Sequence, residues 1–434
     1  MTDKRAVIRQ PSGQPYWWVG VSLEGTQPSS LPSARQDCVI VGSGIAGLSC
    51  ALKLVETNRS VCVLDSGSLG GGASTRTFAS AGNGAALKFA GDRLALGEQR
   101  ARERLAEDQR NYQDWLEFVR SEPQACDLSE TGFITAAVTK DHLGRFRAAA
   151  SIAAEEQIPS TIIEGASFRD WIGSDSYCGG IYMPDGSSFH PGKLISHMIK
   201  TAMRMGVSLY ANHAVTRIER NGSGYRVSGH GFSIETDQVV VAINGYLGTL
   251  RGKFARYLDR RLIPVESNMI ATAELPPEVI NSVFPRPIFF ADSRLSLYCV
   301  RTSPDNKRIM FSSRHGKKMS TAERATALLR DLKGVFPQLG SVEVEFSWPG
   351  VFAVSRDQRP HVGISDGIGF VSGCSGSGMV RHFALGRRLA ERLIDPSAGT
   401  STYGNDFPTF PALLPKWALT GAMTIYHDVL DYKK

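Results

Sequence analysis

Between Cys38 and Asp65 the polarity of the chain changes its period twice. CVIVG is apolar up to a glycine, as a strand buried on both faces requires. AGLSCALKLVE repeats apolar positions at helical spacing, and SVCVLD is apolar until its last residue. This pattern predicts a strand, a helix and a second parallel strand. A long helical region near 92–120 follows, then strand and helix alternation through GFITAAVTK to a helix around 192–205. From 206 to QVVVAING the pattern predicts short strands and hairpins ending in one hydrophobic strand, with strands dominant to about 316. A helix near 320–334, more strands, the segment GFVSGCSGSG and a last helix, MVRHFALGRRLAERLI, complete the body. Residues 1–36, rich in Pro, Ser and Gln and carrying Tyr16-Trp17-Trp18, predict an extended arm that packs its aromatics on that body.

The turn between the first strand and helix is Gly42-Ser43-Gly44-Ile45-Ala46-Gly47. Such a glycine pattern lets backbone N–H groups approach a pyrophosphate and sets that anion on a helix N-terminus, while Gly47 lets helix and strand pack closely. Asp65 ends the second strand about 20 residues on, where a carboxylate can accept hydrogen bonds from a ribose diol. Strand, turn, helix, strand and acid in register predict a dinucleotide site, with NAD and FAD both open at this point.

Length and composition narrow the class. At 434 residues the chain exceeds the roughly 250–300 at which one core stops growing, so two intimately joined domains are expected. Apolar residues are 42% and charged residues 21%, and no stretch approaches the roughly 20 apolar residues of a spanning helix. The start, MTDKRAVIRQPSGQPYWW, holds no continuous apolar segment, so a cytoplasmic location is expected. Seven cysteines with no C-x-x-C and no Cys/His cluster argue against a disulfide framework or a zinc site. The net charge of +7 is spread along the chain without a basic run, so no nucleic-acid partner is expected and the charge would at most help gather an anionic ligand.

A second small-residue stretch, SLGGGASTRTFASAGNGAA, follows Asp65 and can lie against a planar ring system, and GFVSGCSGSGMV forms a second glycine-rich turn entering a helix. With these segments, and with GGIYMPDGSSFHPGKL, VVVAINGYLG and RDQRPHVG in order, nearly the whole chain resembles the FAD-dependent amine and amino-acid oxidoreductases, the superfamily of D-amino-acid oxidase, glycine oxidase, sarcosine oxidase, D-amino-acid dehydrogenase and gamma-glutamylputrescine oxidase. The arm QPYWW and the end FPALLPKWALTGAMTIYHDVLDYKK look most like gamma-glutamylputrescine oxidase relatives, and TFASAG like D-amino-acid dehydrogenases.

The resemblance implies an α/β fold: a Rossmann-like FAD-binding domain with an inserted antiparallel-sheet (α+β) substrate domain. The FAD domain is expected at 37–90, 130–180 and 345–396, with hairpins and a strand at 201–245. The substrate domain and connecting helices are expected at 91–129, 181–200 and 246–344, with an arm at 1–36 and an extension at 397–434. It further implies that Gly42, Ser43, Gly44, Ile45, Ala46 and Gly47 hold the FAD pyrophosphate and that Asp65, with Ser66, meets the adenosine ribose. Ala73, Ser74, Thr75 and Arg76, and Gly82, Asn83 and Gly84, would pass near the flavin. Val215 would meet the adenine through its backbone, Asn244 and Gly245 would belong to the cofactor site, and Gly373, Ser375, Gly376, Ser377, Gly378 and Met379 would run along the flavin's pyrimidine side.

Two departures bear on the substrate. Five residues before Asp357, where glycine and D-amino-acid oxidase relatives carry an arginine that clamps the substrate carboxylate, this chain has Phe352. Where sarcosine-oxidase relatives carry a lysine after the last glycine turn, it has Val380. Either the substrate is an amine whose reacting carbon bears no carboxylate, which is the favoured expectation, or Arg301, Arg314, Arg381 or Arg76 takes over. Tyr298 and Phe352 are candidate aromatic walls. His190, His361 and His382 fall in family motifs, with a backbone-satisfied core histidine the expected role for each. Gly350 and Ala79 stand where relatives attach flavin through cysteine or histidine, so a dissociable FAD is expected.

The implied reaction is hydride transfer from an amine-bearing carbon to flavin N5, giving an imine that hydrolyses. It takes a small amine or amino acid as substrate and oxygen as acceptor, with no catalytic base singled out and no metal. The alternatives are an amino-acid dehydrogenase passing electrons to a quinone or carrier, with Trp417 to Leu430 touching a membrane, and a flavin-binding subunit without its own amine chemistry.

Overall fold

The expected strand, helix and strand form at Gln36–Val41 (β1), Ile45–Val55 (α1) and Val61–Leu64 (β2), and every residue of β2 is buried. The computed structural model describes residues 11–23, 30–82, 84–122, 126–314, 319–404 and 406–411. The chain continues through β3 (Ser80–Gly82), α2 (Ala85–Leu96), α3 (Glu98–Arg120), β4 (Phe133–Ala137), α4 (Lys140–Glu155), β5 (Thr161–Glu164), β6 (Gly179–Met183), β7 (Gly186–Ser188), α5 (Pro191–Arg204) and β8 (Ser208–Tyr210). Then come β9 (Val215–Asn221), β10 (Gly224–Gly229), β11 (Phe232–Val241), α6 (Lys253–Asp259), β12 (Leu262–Thr272), α7 (Pro277–Val283), β13 (Phe289–Asp292), β14 (Cys299–Thr302) and β15 (Ile309–Ser313). Last are α8 (Thr321–Val335), β16 (Val344–Ser355), β17 (His361–Ser365), β18 (Ile368–Ser372) and α9 (Gly378–Ile394). The long helix expected near 92–120 is two helices, because Gly97 at φ +83° breaks the α2 backbone before α3 starts.

In the first sheet β8, β2, β1, β11 and β18 run parallel in that order, with β17 antiparallel outside β18 and the β9–β10 hairpin on the first half of β11. The second sheet has the order β16-β12-β15-β14-β13-β4-β6-β5 and is antiparallel except where β13 meets β4. A parallel Rossmann-like sheet beside a mixed, mostly antiparallel one is the fold class read from the sequence. The placement of two segments differs from that reading. Residues 130–180 contribute β4, β5 and the start of β6 to the second sheet, and β16 joins it from within 345–396. The strand and helix alternation at 130–180 looks like a parallel crossover, but β6 pairs antiparallel with both β4 and β5 and draws them into the other sheet.

One core lies between the first sheet and helices α1, α5 and α9, and another packs α8 behind the second sheet. The long β12–β16 ribbon joins the two halves: Met269 and Trp348 sit in the first core, while Leu262 and Ala353 at its far end pack under β11 and β18. Trp17 of the arm is fully buried, worth about 1.5–3 kcal/mol for a side chain of this class. Its indole N–H donates to the Thr77 carbonyl at 2.9 Å, and that of Trp18 donates to Thr75 Oγ1 at 3.0 Å. The arm packs on the body as its aromatics predict. All seven cysteines are free thiols. Among the described residues no helix is long and apolar enough to cross a membrane.

Candidate functional site

A cavity of about 450 Å³ opens where the C-terminal ends of β1, β2, β11 and β18 meet one face of the second sheet. This is where open parallel sheets bind ligands, because the strand order leaves a crevice there. Gly42, Gly44, Ile45 and Ala46 line one end. Gly47 backs them: a Cβ there would stand 1.9 Å from the Gly42 carbonyl oxygen, so only hydrogen fits between turn and helix. The Ser43 N–H and Oγ–H donate to Asp65 Oδ2 at 2.9 and 2.5 Å, and the Gly67 N–H donates to Oδ1 at 3.1 Å. A carboxylate offers about four lone-pair sites, so Asp65, which also lines the cavity, keeps one free.

Further along the wall, Ser66, Ala73, Ser74, Arg76, Val215 and Asn244 line the cavity, as do Gly376, Gly378 and Met379 of the second turn. Ser74 Oγ accepts from the Ile45 N–H at 3.0 Å, and Asn244 Oδ1 from the Gly373 N–H at 3.0 Å, so each turn is fastened to a neighbouring segment. Thr75, Gly245, Gly373, Ser375 and Ser377 stand behind the lining in the same loops. Thr75 Oγ1–H donates to the Gly70 carbonyl, Gly245 packs on the Phe352 carbonyl, and the Ser375 and Ser377 N–H groups donate to Ala353 and Cys374. Gly82 lies in the β3–β7 ribbon and Gly84 caps α2, both away from the lining. Asn83 lies outside the described residues.

The opposite wall is the second sheet. Strand alternation puts Ser267 and Met269 of β12, Cys299 of β14, Ser312 of β15 and, just beyond it, Arg314 on the face toward the cavity, with Phe352 of β16 and Leu297 beside them. Ser267 Oγ and Ser312 Oγ are 3.4 Å apart. Burial pushes the Cys299 thiol up to about 12 and raises Cys374. Burial also lowers Arg314, which remains a cation. Its guanidinium lies 5.6 Å from the Phe352 ring centroid and has no carboxylate partner among the described residues.

Several expected substrate residues lie elsewhere. Tyr298 faces the second core, edge-on to Phe311, because it has the opposite parity to Cys299. Arg301 is 4% exposed and its Nη1–H groups donate to the carbonyls of Ala79 (2.7 Å) and Phe189 (3.2 Å), so it ties the sheet to other segments. Burial pushes it down to about 10. Arg381 pairs with Asp108 and lies over Tyr403, and Val380 is buried in the first core. His361 pairs with Asp357 at 3.0 Å and stacks on Phe407. His190 caps α5, accepting from the Lys193 N–H. Arg76 lines the cavity with its Nε–H donated to the Gly71 carbonyl at 2.9 Å, under Trp18.

A model of FAD dependent oxidoreductases matches residues 37–392. The chain belongs to this family. It is 27% identical to a probable oxidoreductase OrdL of Haemophilus influenzae, over 82% of this chain and 83% of that one. It is 24% identical to gamma-glutamylputrescine oxidoreductase of Escherichia coli, over 86% and 87%. The crystal structure of glycine oxidase from Geobacillus kaustophilus superposes with a TM-score of 0.69 at 18% identity, covering 85% of this chain and 99% of that one. The family's cofactor fits the cavity: the glycine turns leave room that a side chain would fill, and at the wall His382 Nε2 is a buried polar atom without a partner.

The sheet-side residues Ser267, Met269, Cys299 and Ser312, and Leu297 in the preceding loop, were not expected from the family motifs. Their signal is only small or unbranched residues at alternate positions of β12, β14 and β15, a pattern that any half-buried sheet face shares.

Proposed function

We propose that this FAD-dependent oxidoreductase oxidises the carbon–nitrogen bond of a small amine to an imine, and that the amine carries an anionic group which Arg314 holds. FAD, once bound, supplies the two-electron acceptor at flavin N5. Gly44 and Ala46 in the first turn of α1 would take the pyrophosphate on backbone N–H groups, while Gly42, whose own N–H is donated to the Leu64 carbonyl at 2.8 Å, shapes the turn, and the remaining lone pair of Asp65 would accept from a ribose hydroxyl. The cofactor would be dissociable.

The observation that carries the substrate reading is Arg314. It is a half-buried cation in the cavity wall, beside Phe352, with no carboxylate of the protein to neutralise it among the described residues. An anionic substrate group would supply that partner, with a bidentate fork available. Arg76 is a weaker claimant because the Gly71 carbonyl already engages it. Of the four arginines considered in the sequence, Arg301 and Arg381 have fixed protein partners, so this reading replaces the favoured expectation of an amine without a carboxylate.

The amine end needs to be neutral, so that the nitrogen lone pair can assist departure of hydrogen from the adjacent carbon. Among the described residues Asp65 is the one carboxylate in the lining, and Ser43 and Gly67 occupy three of its lone pairs, so none of the described acids at the sheet wall favours an ammonium. Ser267, Ser312 and the protonated Cys299 offer neutral contacts, and Phe352, Met269 and Leu297 exclude water. The protein's work is thus orientation and desolvation. Oxygen is the proposed acceptor. The test is anaerobic bleaching of the flavin by amines, followed by oxygen uptake with those that bleach. Bleaching with uptake supports an oxidase, bleaching without uptake a dehydrogenase, and no bleaching by any amine or amino acid overturns the amine reading.

A further inference from the structure

Among the described residues the cavity lining holds two cations, Arg314 and Arg76, and one carboxylate, Asp65. The reading above gives Arg314 an anionic group of the substrate and leaves Arg76 without one. Arg76 donates Nε–H to the Gly71 carbonyl at 2.9 Å and Nη1–H to the Pro349 carbonyl at 3.4 Å, while Nη2 has no partner among the described residues. The Trp18 ring lies 4.7 Å from the guanidinium carbon and is pinned by its indole N–H on Thr75 Oγ1, which fixes the plane of the cation. Burial lowers the Arg76 pKa, yet a guanidinium stays charged. Its ionisable neighbour Tyr246 is a phenol that burial raises, hence neutral.

Strand register puts the two cations in one row. Ser267 of β12 pairs with Gly350 of β16, and Arg314, one residue past the Ser313–Asn268 pair, comes level with Ser267 on its other side. Residues level on antiparallel strands point to the same face, and strands stand about 4.8 Å apart, so the Cα atoms of Arg314 and Gly350 are about 10 Å apart with Ser267 between them. Arg76 packs where Gly350 has no side chain: a Cβ there would stand 3.2 Å from Arg76 Cβ. We propose that Arg76 is a second anion subsite on this wall, so that the substrate is an amine bearing two carboxylate groups, one on Arg314 and one on Arg76, with the uncharged Ser267 hydroxyl between them. A substrate with a single acid would leave one desolvated guanidinium unpaired, which costs free energy that a second acid recovers. The inference rests on the amine reading and on Arg314 holding the first group.

The test uses the FAD-loaded full chain as wild type, Arg76→Met and Arg76→Lys. It reads shifts of the bound-flavin absorption on titration with unreactive acids, the dicarboxylates malonate to adipate against monocarboxylates of equal length. In wild type at least one dicarboxylate should bind about tenfold or more tightly than its monocarboxylate, the scale of one hydrogen-bonded charge pair. Arg76→Met should bring that ratio within about threefold of unity and leave the monocarboxylate and FAD affinities within about threefold of wild type, and Arg76→Lys should keep part of the ratio. No preference in wild type at any length overturns the proposal, as does a preference that survives in Arg76→Met. A loss of FAD affinity in Arg76→Met beyond that range also overturns it, because the cation then serves the cofactor. Should Arg76→Met fail to fold, Arg76→Lys decides: the ratio falls at least about threefold under the proposal, and an unchanged ratio overturns it. Bleaching is followed separately. No bleaching by any amine or amino acid sinks the functional reading, whereas bleaching by amines with one acid and no tighter binding of dicarboxylates sinks this inference alone.

Discussion

The two ends of the cavity are made of different material. The turn end is backbone: Gly42 and Gly47 stand where no side chain fits, Gly44 lies between them, and Asp65 is held in place by the N–H groups of Ser43 and Gly67. The sheet end is side chain: Ser267, Cys299, Ser312 and Arg314 come from three strands and a strand end, brought together by register. A backbone site is written as a contiguous motif and varies little with the substrate. A side-chain site is dispersed along the chain, and on the proposed reading it is there that the substrate is chosen.

The largest expected effect breaks the turn end. Gly47→Val places carbon where 1.9 Å is available to a Cβ, and should cost about 3 kcal/mol or more of stability and abolish the bound-flavin absorption. A variant that keeps flavin and melting temperature would remove the backbone argument. Next is the Asp108–Arg381 pair behind the second turn. Burial raises the Asp108 pKa, but Arg381 outweighs it and brings the carboxyl below its ordinary value. Its contribution is therefore complete above the ordinary aspartate range and lost as the pH falls toward the lower folded value, because the unfolded chain takes up the proton first. Asp108→Asn should cost about 3 kcal/mol at neutral pH and flatten the acid limb of a denaturation series. Unchanged substrate preference would mark Arg381 as structural.

At the sheet end, Arg314→Met should raise KM for acid-bearing amines by about 30–100-fold, the effect of losing a partner worth about 2–2.7 kcal/mol, and change neutral amines by less than about threefold. Equal loss on both substrate classes would make Arg314 a packing residue. Arg301→Met is the smallest and the most discriminating. It removes the arginine donor from the Phe189 carbonyl and leaves the Ala79 carbonyl only the Phe189 N–H at 3.3 Å, so about 2 kcal/mol of stability should go while the ratio of activities on the two classes stays put. A shifted ratio would return Arg301 to the substrate site.

The same contrast explains what was legible in the sequence. The βαβ unit, its glycine turn, Asp65 and the second turn were readable because local periodicity and short motifs encode them. The placement of 130–180 was not, since an alternation of strands and helices does not state which sheet each strand joins; antiparallel pairing of β6 decided it. Nor could the arginines be ranked. Arg301 and Arg314 both follow the alternation of their strands toward the same side, and only tertiary contacts separate the one capped by carbonyls from the one left facing the cavity. Tyr298 failed for a simpler reason, a single step of strand parity.

The measurement that tests the central claim most directly is anaerobic bleaching of the wild-type flavin by matched amines with and without a carboxylate or other anionic group. Bleaching confined to, or at least tenfold faster with, the anionic members is the predicted result. Bleaching by the neutral members alone would contradict it, and would mean that Arg314 stands in the cavity wall without holding the substrate.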